Sequence, residues 1–208
     1  LVKAAFRVNK ASDLPIAVAR AFRAAVSGRP GGVYLDVVES CLGEIVDNSA
    51  TKSWYFKPVD PCPAMIPSPE SVDRAVRLLA GAKRPAILFG KGAAYAQIDD
   101  KIKQLVETTG LPFFPMSMAK GLLPDDHPQS ALSCRSTIME ADVVMLIGAR
   151  LNWLLSCGHG KWNPEGKFIQ LDIDPDEMDC NRPIAAPVVG DLDSSVSAIL
   201  DKLKDVKL

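Results

Sequence analysis

Three runs of strand length are apolar at almost every position: Pro85-Ala86-Ile87-Leu88-Phe89-Gly90, Val143-Val144-Met145-Leu146-Ile147-Gly148 and Phe168-Ile169-Gln170-Leu171-Asp172-Ile173. A strand with one wet face alternates polar and apolar residues. Runs without alternation need cover on both faces, which parallel strands obtain from crossover helices. Helical signals lie between these runs, so the chain reads as repeated αβ units. That pattern predicts an α/β fold: a doubly wound, mostly parallel sheet with right-handed crossovers.

Local chemistry supports this reading. Ser68-Pro69-Glu70-Ser71 has the form of a helix start, with a capping hydroxyl, proline at the first helical position and an acid near the positive end. Ala75, Val76, Leu78 and Leu79 form that helix's apolar side. Further helices are expected near 97–109, 131–140 and 194–203, with shorter strands at 111–115 and 187–190. Near the start, Ser12-Asp13 opens a helix whose apolar residues run from Ile16 to Val26, Gly28-Arg29-Pro30-Gly31-Gly32 stops it, and residues 33–38 read as a strand. No strand is expected before that helix, so residues 1–40 look like the tail of a domain whose beginning lies elsewhere. Residues 41–67 show no sustained period and carry Pro58, Pro61, Pro63 and Pro67, which predicts an extended linker. Residues 68–208 then form one complete αβ domain.

Charge removes several function classes. Among 208 residues, 24 Lys+Arg stand against 25 Asp+Glu, a balance with no electrostatic footprint for nucleic acid or an anionic membrane. Trp54, Trp153 and Trp162 are not interleaved with a basic stripe, and no apolar span approaches the roughly 18 residues of a membrane helix. The start, Leu1-Val2-Lys3-Ala4-Ala5-Phe6-Arg7, has neither a long apolar run nor a small-residue cleavage site, so no signal peptide is expected. Cys41, Cys62, Cys134, Cys157 and Cys180 form no CxxC pair, and only His127 and His159 accompany them. A zinc cluster or disulfide framework is therefore not expected, nor any other metal site, and the cysteines point to a reducing compartment.

In open α/β sheets, ligands bind outside the carboxyl ends of the strands, so the residues that follow each strand are the functional candidates. Gly90-Lys91-Gly92-Ala93-Ala94-Tyr95 could bring backbone close to a phosphate with Lys91 adding charge, or be an ordinary turn. Tyr95 occupies the place of the third fingerprint glycine. Arg150, after the next run, could pair with phosphate or stack on adenine, or pair with a loop carboxylate. Asp172 could accept from ribose hydroxyls, metal binding by the run Asp172, Asp174, Asp176 and Glu177 lacks the glycine and spacing of an EF-hand, and helix capping is the plainer reading of these acids. Leu192, after the last strand, could cover an adenine, with Asp191 or Asp193 capping the helix. Arg135 could reach a phosphate in the crevice after 111–115. Asp125-Asp126-His127-Pro128 reads as a surface turn rather than a catalytic pair.

Five blocks taken together resemble a known family. They are the 90–97 block just quoted, Pro115-Met116-Ser117-Met118-Ala119-Lys120-Gly121, Asp126-His127-Pro128, Gly148-Ala149-Arg150-Leu151-Asn152-Trp153 and Pro183-Ile184-Ala185-Ala186-Pro187-Val188-Val189-Gly190-Asp191. In this order they look like the thiamine-diphosphate-dependent oxalyl-CoA decarboxylases. The related 2-hydroxyacyl-CoA lyases share the first and fourth blocks closely and the others loosely. The resemblance implies the end of a pyrimidine-binding domain up to residue 40, the connector, and a complete Rossmann-like central domain.

It further implies that the thiamine-activating glutamate and the magnesium- and diphosphate-binding segment belong to other parts of a longer enzyme, so no catalytic residue is assigned here. What the family carries over is an ADP activator site, at Arg29, Lys91, Arg150, Asp172 and Leu192, and a contact with coenzyme A at Arg135 and Ser136. The parent reaction would convert oxalyl-CoA to formyl-CoA and CO2 in oxalate catabolism, in a cytoplasmic homotetramer that holds thiamine diphosphate and Mg2+. A 2-hydroxyacyl-CoA lyase fragment and a non-catalytic adenine-nucleotide-binding module are the alternatives. The isolated chain is expected to lack the decarboxylase activity.

Overall fold

The computed structural model describes residues 2–55, 62–204 and 206, and it divides into two compact units, Leu1–Pro63 and Ala64–Leu208. In the first, strand β1 (Ala4–Val8) pairs in parallel with β2 (Val33–Val37) through helix α1 (Leu14–Val26). The expectation of no strand before α1 is thus corrected: the unit is βαβ. The strand escaped notice because Ala-Ala-Phe-Arg-Val is short and partly exposed, with Arg7 on its wet face beside Asp36, 3.5 Å away. Its small core holds Val8, Ala17 and Cys41 with Leu14 and Leu35 against them. Ile16, Phe22 and Tyr34 remain more than half exposed.

The stretch expected to be extended is partly helical. Short turns of helix, α2 (Glu39–Leu42) and α3 (Asn48–Thr51), occupy its first half, the second capped by Asp47 through Ser49 N–H at 2.9 Å. Local Asx capping can nucleate a single turn without any apolar periodicity. Residues 63–68 carry no regular element, while Pro58 and Pro61 lie outside the described residues.

The second unit is a five-stranded sheet in the order β4-β3-β5-β6-β7, with every pairing parallel: β3 (Pro85–Phe89), β4 (Phe113–Pro115), β5 (Val143–Ile147), β6 (Lys167–Asp172) and β7 (Ala186–Val189). The α/β reading holds. Helix α4 (Pro69–Ala80) starts as the sequence implies, with Ser68 Oγ accepting from Ser71 N–H at 3.2 Å and proline at the first turn. With α6 (Asp99–Thr109) and α8 (Leu192–Leu203) it covers one face, burying Ile87, Phe89, Met145, Ile147, Ile169 and Leu171. Each such side chain contributes roughly 1.5–3 kcal/mol by leaving water.

The opposite face, formed by Ala86, Leu88, Val144, Leu146 and Phe168, is covered differently. Its one α-helix among the described residues of this cluster is α7 (Arg135–Met139), five residues long and shorter than the 131–140 span expected. The cover is completed by the β5–β6 connection, which contributes Leu151, Leu155 and Trp162, by Ala131 and Ala141 on either side of α7, and by Ile184 from the β6–β7 connection. That connection contains a 3-10 segment (Trp153–Gly158) and no α-helix. Arg182 holds it: its guanidinium donates to the carbonyls of Gly158, Asn163, Pro164 and Gly166 at 2.7, 3.3, 2.6 and 3.1 Å. The same group lies 5.1 Å from the centre of the Phe168 ring.

Asp142 ties the entries of two adjacent strands, accepting from the N–H groups of Lys83 at 2.7 Å and Arg84 at 2.9 Å. Burial alone would raise its pKa, but the backbone donors of Lys83 and Arg84 outweigh it and hold the carboxyl below its ordinary value. A lowered folded-state pKa means that this stabilisation is complete above the unfolded value and is lost as pH falls through the folded one. Asp142→Ala is therefore expected to cost about 1–3 kcal/mol in urea unfolding at neutral pH. The gap from the parent chain should narrow below about pH 4. A gap independent of pH would show that the carboxylate charge is not what ties the strands.

Candidate functional site at the carboxyl edge of the sheet

Chain order and strand order part at β3: β4 lies on one side of it and β5 on the other. This reversal makes the β3/β5 boundary the topological switch point, the place where open α/β sheets as a rule bind their ligands. Two glycine-bearing loops meet there. A Cβ on Gly90 would stand 2.2 Å from the Gly148 carbonyl oxygen, and one on Gly148 would stand 2.4 Å from the Ala93 nitrogen. Gly92 N–H donates to the Gly148 oxygen at 2.9 Å and Gly90 N–H to the Ile147 oxygen at 3.0 Å. These glycines are required by the contact between the loops, and their N–H groups are spent within the protein. Of the two readings of the 90–95 block, the turn accounts for the glycines.

Lys91 is exposed at the start of α5 (Lys91–Tyr95), a five-residue helix. Arg150 follows β5 and donates from Nη1 to Glu177 Oε1 at 2.8 Å. The loop-carboxylate pairing weighed from the sequence is thus present, and the arginine side chain remains 46% exposed. Asp172 ends β6, where its Oδ1 accepts from Asp174 N–H at 3.1 Å. Asp174 in turn caps the 3-10 turn Pro175–Glu177, and Asp191 caps α8 through Ser194 N–H at 3.0 Å. Capping explains these two acids, as anticipated. Leu192, the first residue of α8, is buried in the larger core cluster. Lys91, Arg150, Asp172 and Leu192 thus line one edge of one sheet, on consecutive strands β3, β5, β6 and β7 or just after them.

Arg29 belongs to the first unit, in the turn between α1 and β2 that Gly28 permits with φ +55°. Arg135 opens α7, donating to the Leu154 carbonyl at 3.3 Å with its guanidinium 5.8 Å from the Phe114 ring centre. Ser136 Oγ is 3.3 Å from Cys134 Sγ, and the hydroxyls of Ser136 and then Thr137 hold that thiol below its ordinary pKa. Trp153, which precedes Leu154 in the chain, is 78% exposed.

Two participants were missed from sequence. Glu177, which reads as a cap in the sequence, is the partner of Arg150. Gln170, only 2% exposed, donates from Nε2 to the Glu177 carbonyl at 3.2 Å and fixes the turn that carries it. A signal for Gln170 existed, since it and Asp172 are the two polar residues of an otherwise apolar run, and Gln170 is the one that falls inside it rather than at the strand's end. Arg150, Gln170, Glu177 and Arg182 line a cavity of about 70 Å³. A larger cavity, about 550 Å³, lies between α6 and residues 122–129 and is lined by His127 but by none of the nucleotide candidates. His127 packs edge-on against Phe113 and its Nδ1 accepts from Gln129 N–H at 3.3 Å. Among the described residues, no group of three His, Cys, Asp or Glu side chains is arranged to hold a metal ion, and no helix is long and apolar enough to cross a membrane.

Residues 72–199 match the model of the thiamine pyrophosphate enzyme central domain. The chain belongs to that family. It is 54% identical over 203 residues to oxalyl-CoA decarboxylase of Escherichia coli K12, covering 97% of this chain and 36% of the relative. It is 40% identical over 215 residues to 2-hydroxyacyl-CoA lyase of Oryza sativa subsp. japonica, covering 98% and 37%. The chain therefore spans about a third of the length of these curated relatives. Among solved structures, benzoylformate decarboxylase from Polynucleobacter necessarius superposes with a TM-score of 0.76 over 96% of this chain and 38% of that one, at 18% identity. That likeness bears on the fold, and it places the sheet just described in the same architecture.

Proposed function

We propose that this chain is part of a thiamine-diphosphate-dependent decarboxylase that converts oxalyl-CoA to formyl-CoA and CO2, and that its carboxyl edge binds ADP as an activator. The single observation that carries the nucleotide reading is the alignment of Lys91, Arg150, Asp172 and Leu192 along one sheet edge at its switch point. Lys91 and Arg150 would bind phosphate, Asp172 would accept from the ribose hydroxyls, and Leu192 would form the apolar end of the crevice. Arg29, the further cation that the family resemblance implies, belongs to the other compact unit. Arg135 and Ser136 would meet the coenzyme A portion of the substrate.

Residues 1–40 are proposed to end a pyrimidine-binding domain, 41–67 to connect, and 68–208 to form the central domain. Thiamine diphosphate, held with Mg2+ elsewhere in the longer protein, would supply the carbanion chemistry of decarboxylation. No residue of this chain is assigned to that chemistry. A cytoplasmic homotetramer is the proposed setting. The higher identity to the decarboxylase, 54% against 40%, favours oxalyl-CoA over a 2-hydroxyacyl-CoA.

The substrate is tested by assaying the complete protein on oxalyl-CoA and on a long-chain 2-hydroxyacyl-CoA. Turnover of the second alone would reverse the choice. The nucleotide site is tested by calorimetric titration of this chain with ADP, where Lys91→Met and Arg150→Met should each weaken binding about tenfold, the loss of one charge-assisted phosphate contact. Undiminished binding in both variants would remove the phosphate assignment.

A further inference from the structure

Arg150 does not stand alone at the crevice. The side chains of the Arg150–Glu177 pair are unequally exposed, 46% for the arginine and 14% for the glutamate. Glu177 is also held from below. Gln170 fixes its carbonyl, Asp174 caps its turn through Asp176 N–H at 3.1 Å, and Asp172 secures Asp174. The carboxylate is a mostly buried anion on a turn held by these contacts, reached by a long side chain from the neighbouring strand end.

Two behaviours toward a phosphate are conceivable, and they differ in sign. If the phosphate drew Arg150 away, the complex would forfeit one charge-assisted hydrogen bond to a carboxylate that water reaches poorly, a loss that costs more there than at an exposed group. If Arg150 stays, its planar guanidinium still has N–H donors beyond the one given to Glu177, on the edge turned from the carboxylate. The second course costs less. We infer that Glu177 is a positioning residue for anion binding: it holds the Arg150 fork in one orientation, so that a phosphate meets donors already ordered. This deepens the nucleotide reading proposed above and rests on it. Because the pair is nearly neutral, the contact would select by the geometry of the fork more than by net charge, and the ligand class is a nucleoside diphosphate or another compound that presents adjacent phosphate oxygens.

The test uses the 208-residue chain with two probes, ADP and inorganic pyrophosphate, and follows the Arg150 side-chain Nε–Hε resonance by NMR. Expected for Glu177→Gln is binding of both probes weakened about three- to tenfold, from lost preorganisation. The Arg150 resonance should be broadened or lost without ligand in the variant, and should persist in the parent chain when ADP is bound. Unchanged or tighter binding in Glu177→Gln would overturn the inference, tighter binding marking the carboxylate as a competitor of phosphate. Weaker binding with an undisturbed Arg150 resonance would also overturn it, since the effect would then not pass through Arg150. If the parent chain binds neither probe, the nucleotide reading itself falls and this inference with it, an outcome distinct from the other two.

Discussion

Gly148→Ala is expected to destabilise the second unit by about 3 kcal/mol or more, the upper range for forcing atoms into a packed site. Two effects combine. The backbone at Gly148 has φ +57°, which a side chain tolerates poorly, and the added Cβ would lie 2.4 Å from the Ala93 nitrogen and 2.7 Å from the Gly92 Cα. Both obstacles are backbone atoms, so no rotamer change can relieve them. Gly110→Ala separates the two effects: its φ is +65°, yet nothing lies within 4 Å of the added methyl. That variant should lose only the conformational part, about 1 kcal/mol. Urea unfolding of the two variants measures the difference. Near-equal losses would mean that the loops at the switch point can move apart freely. The functional consequence is direct, because Lys91 lies between Gly90 and Gly92 while Arg150 lies two residues beyond Gly148. Separating these loops should weaken ADP binding even in the fraction of Gly148→Ala that remains folded.

The same glycines show how far the sequence could be read. Apolar runs without alternation and the Ser68-Pro69 helix start located the sheet and its parallel sense, and the rule about strand ends singled out its candidate edge, because each depends on local pattern. What escaped depends on partners distant in sequence. Gly90 and Gly92 are explained only by Gly148, 56 or more positions later, so phosphate binding and backbone contact were equivalent readings until the loops were seen together. Strand β1 escaped because Ala4–Val8 is too short and too polar on one face to stand out from a loop. Glu177 sits in an acidic turn where capping is sufficient explanation for every carboxylate, and its ion pair joins residues 27 positions apart. Arg182 gave no signal at all, since arginine in a loop is ordinarily a solvated charge.

Arg182 is where the second large effect is expected. Two successive crossovers, β5 to β6 and β6 to β7, lack α-helices and lie over the same face as Phe168 and Trp162. Carbonyl groups that a helix would satisfy internally must therefore find other donors. One guanidinium serves four of them, those of Gly158, Asn163, Pro164 and Gly166. Only a planar group with five N–H donors has that geometry, and it also stacks over Phe168. Nearby contacts reinforce the clamp without duplicating it, such as Asn181 Nδ2 to the Leu151 carbonyl at 2.8 Å and Trp162 Nε1 to the Leu155 carbonyl at 2.7 Å. Arg182→Met keeps the apolar stem but strands the carbonyls, and should cost about 2–4 kcal/mol, on the scale of losing hydrogen bonds to a charged group. Arg182→Lys restores the charge but not the fork and should recover less than half of that loss. Hydrogen exchange gives the decisive readout. If the guanidinium is the clamp, amides of residues 158–166 should lose protection in both variants while those of β3 and β5 change little. Uniform loss across the sheet would instead mean that Arg182 supports the whole unit, and full recovery with lysine would show that charge alone suffices.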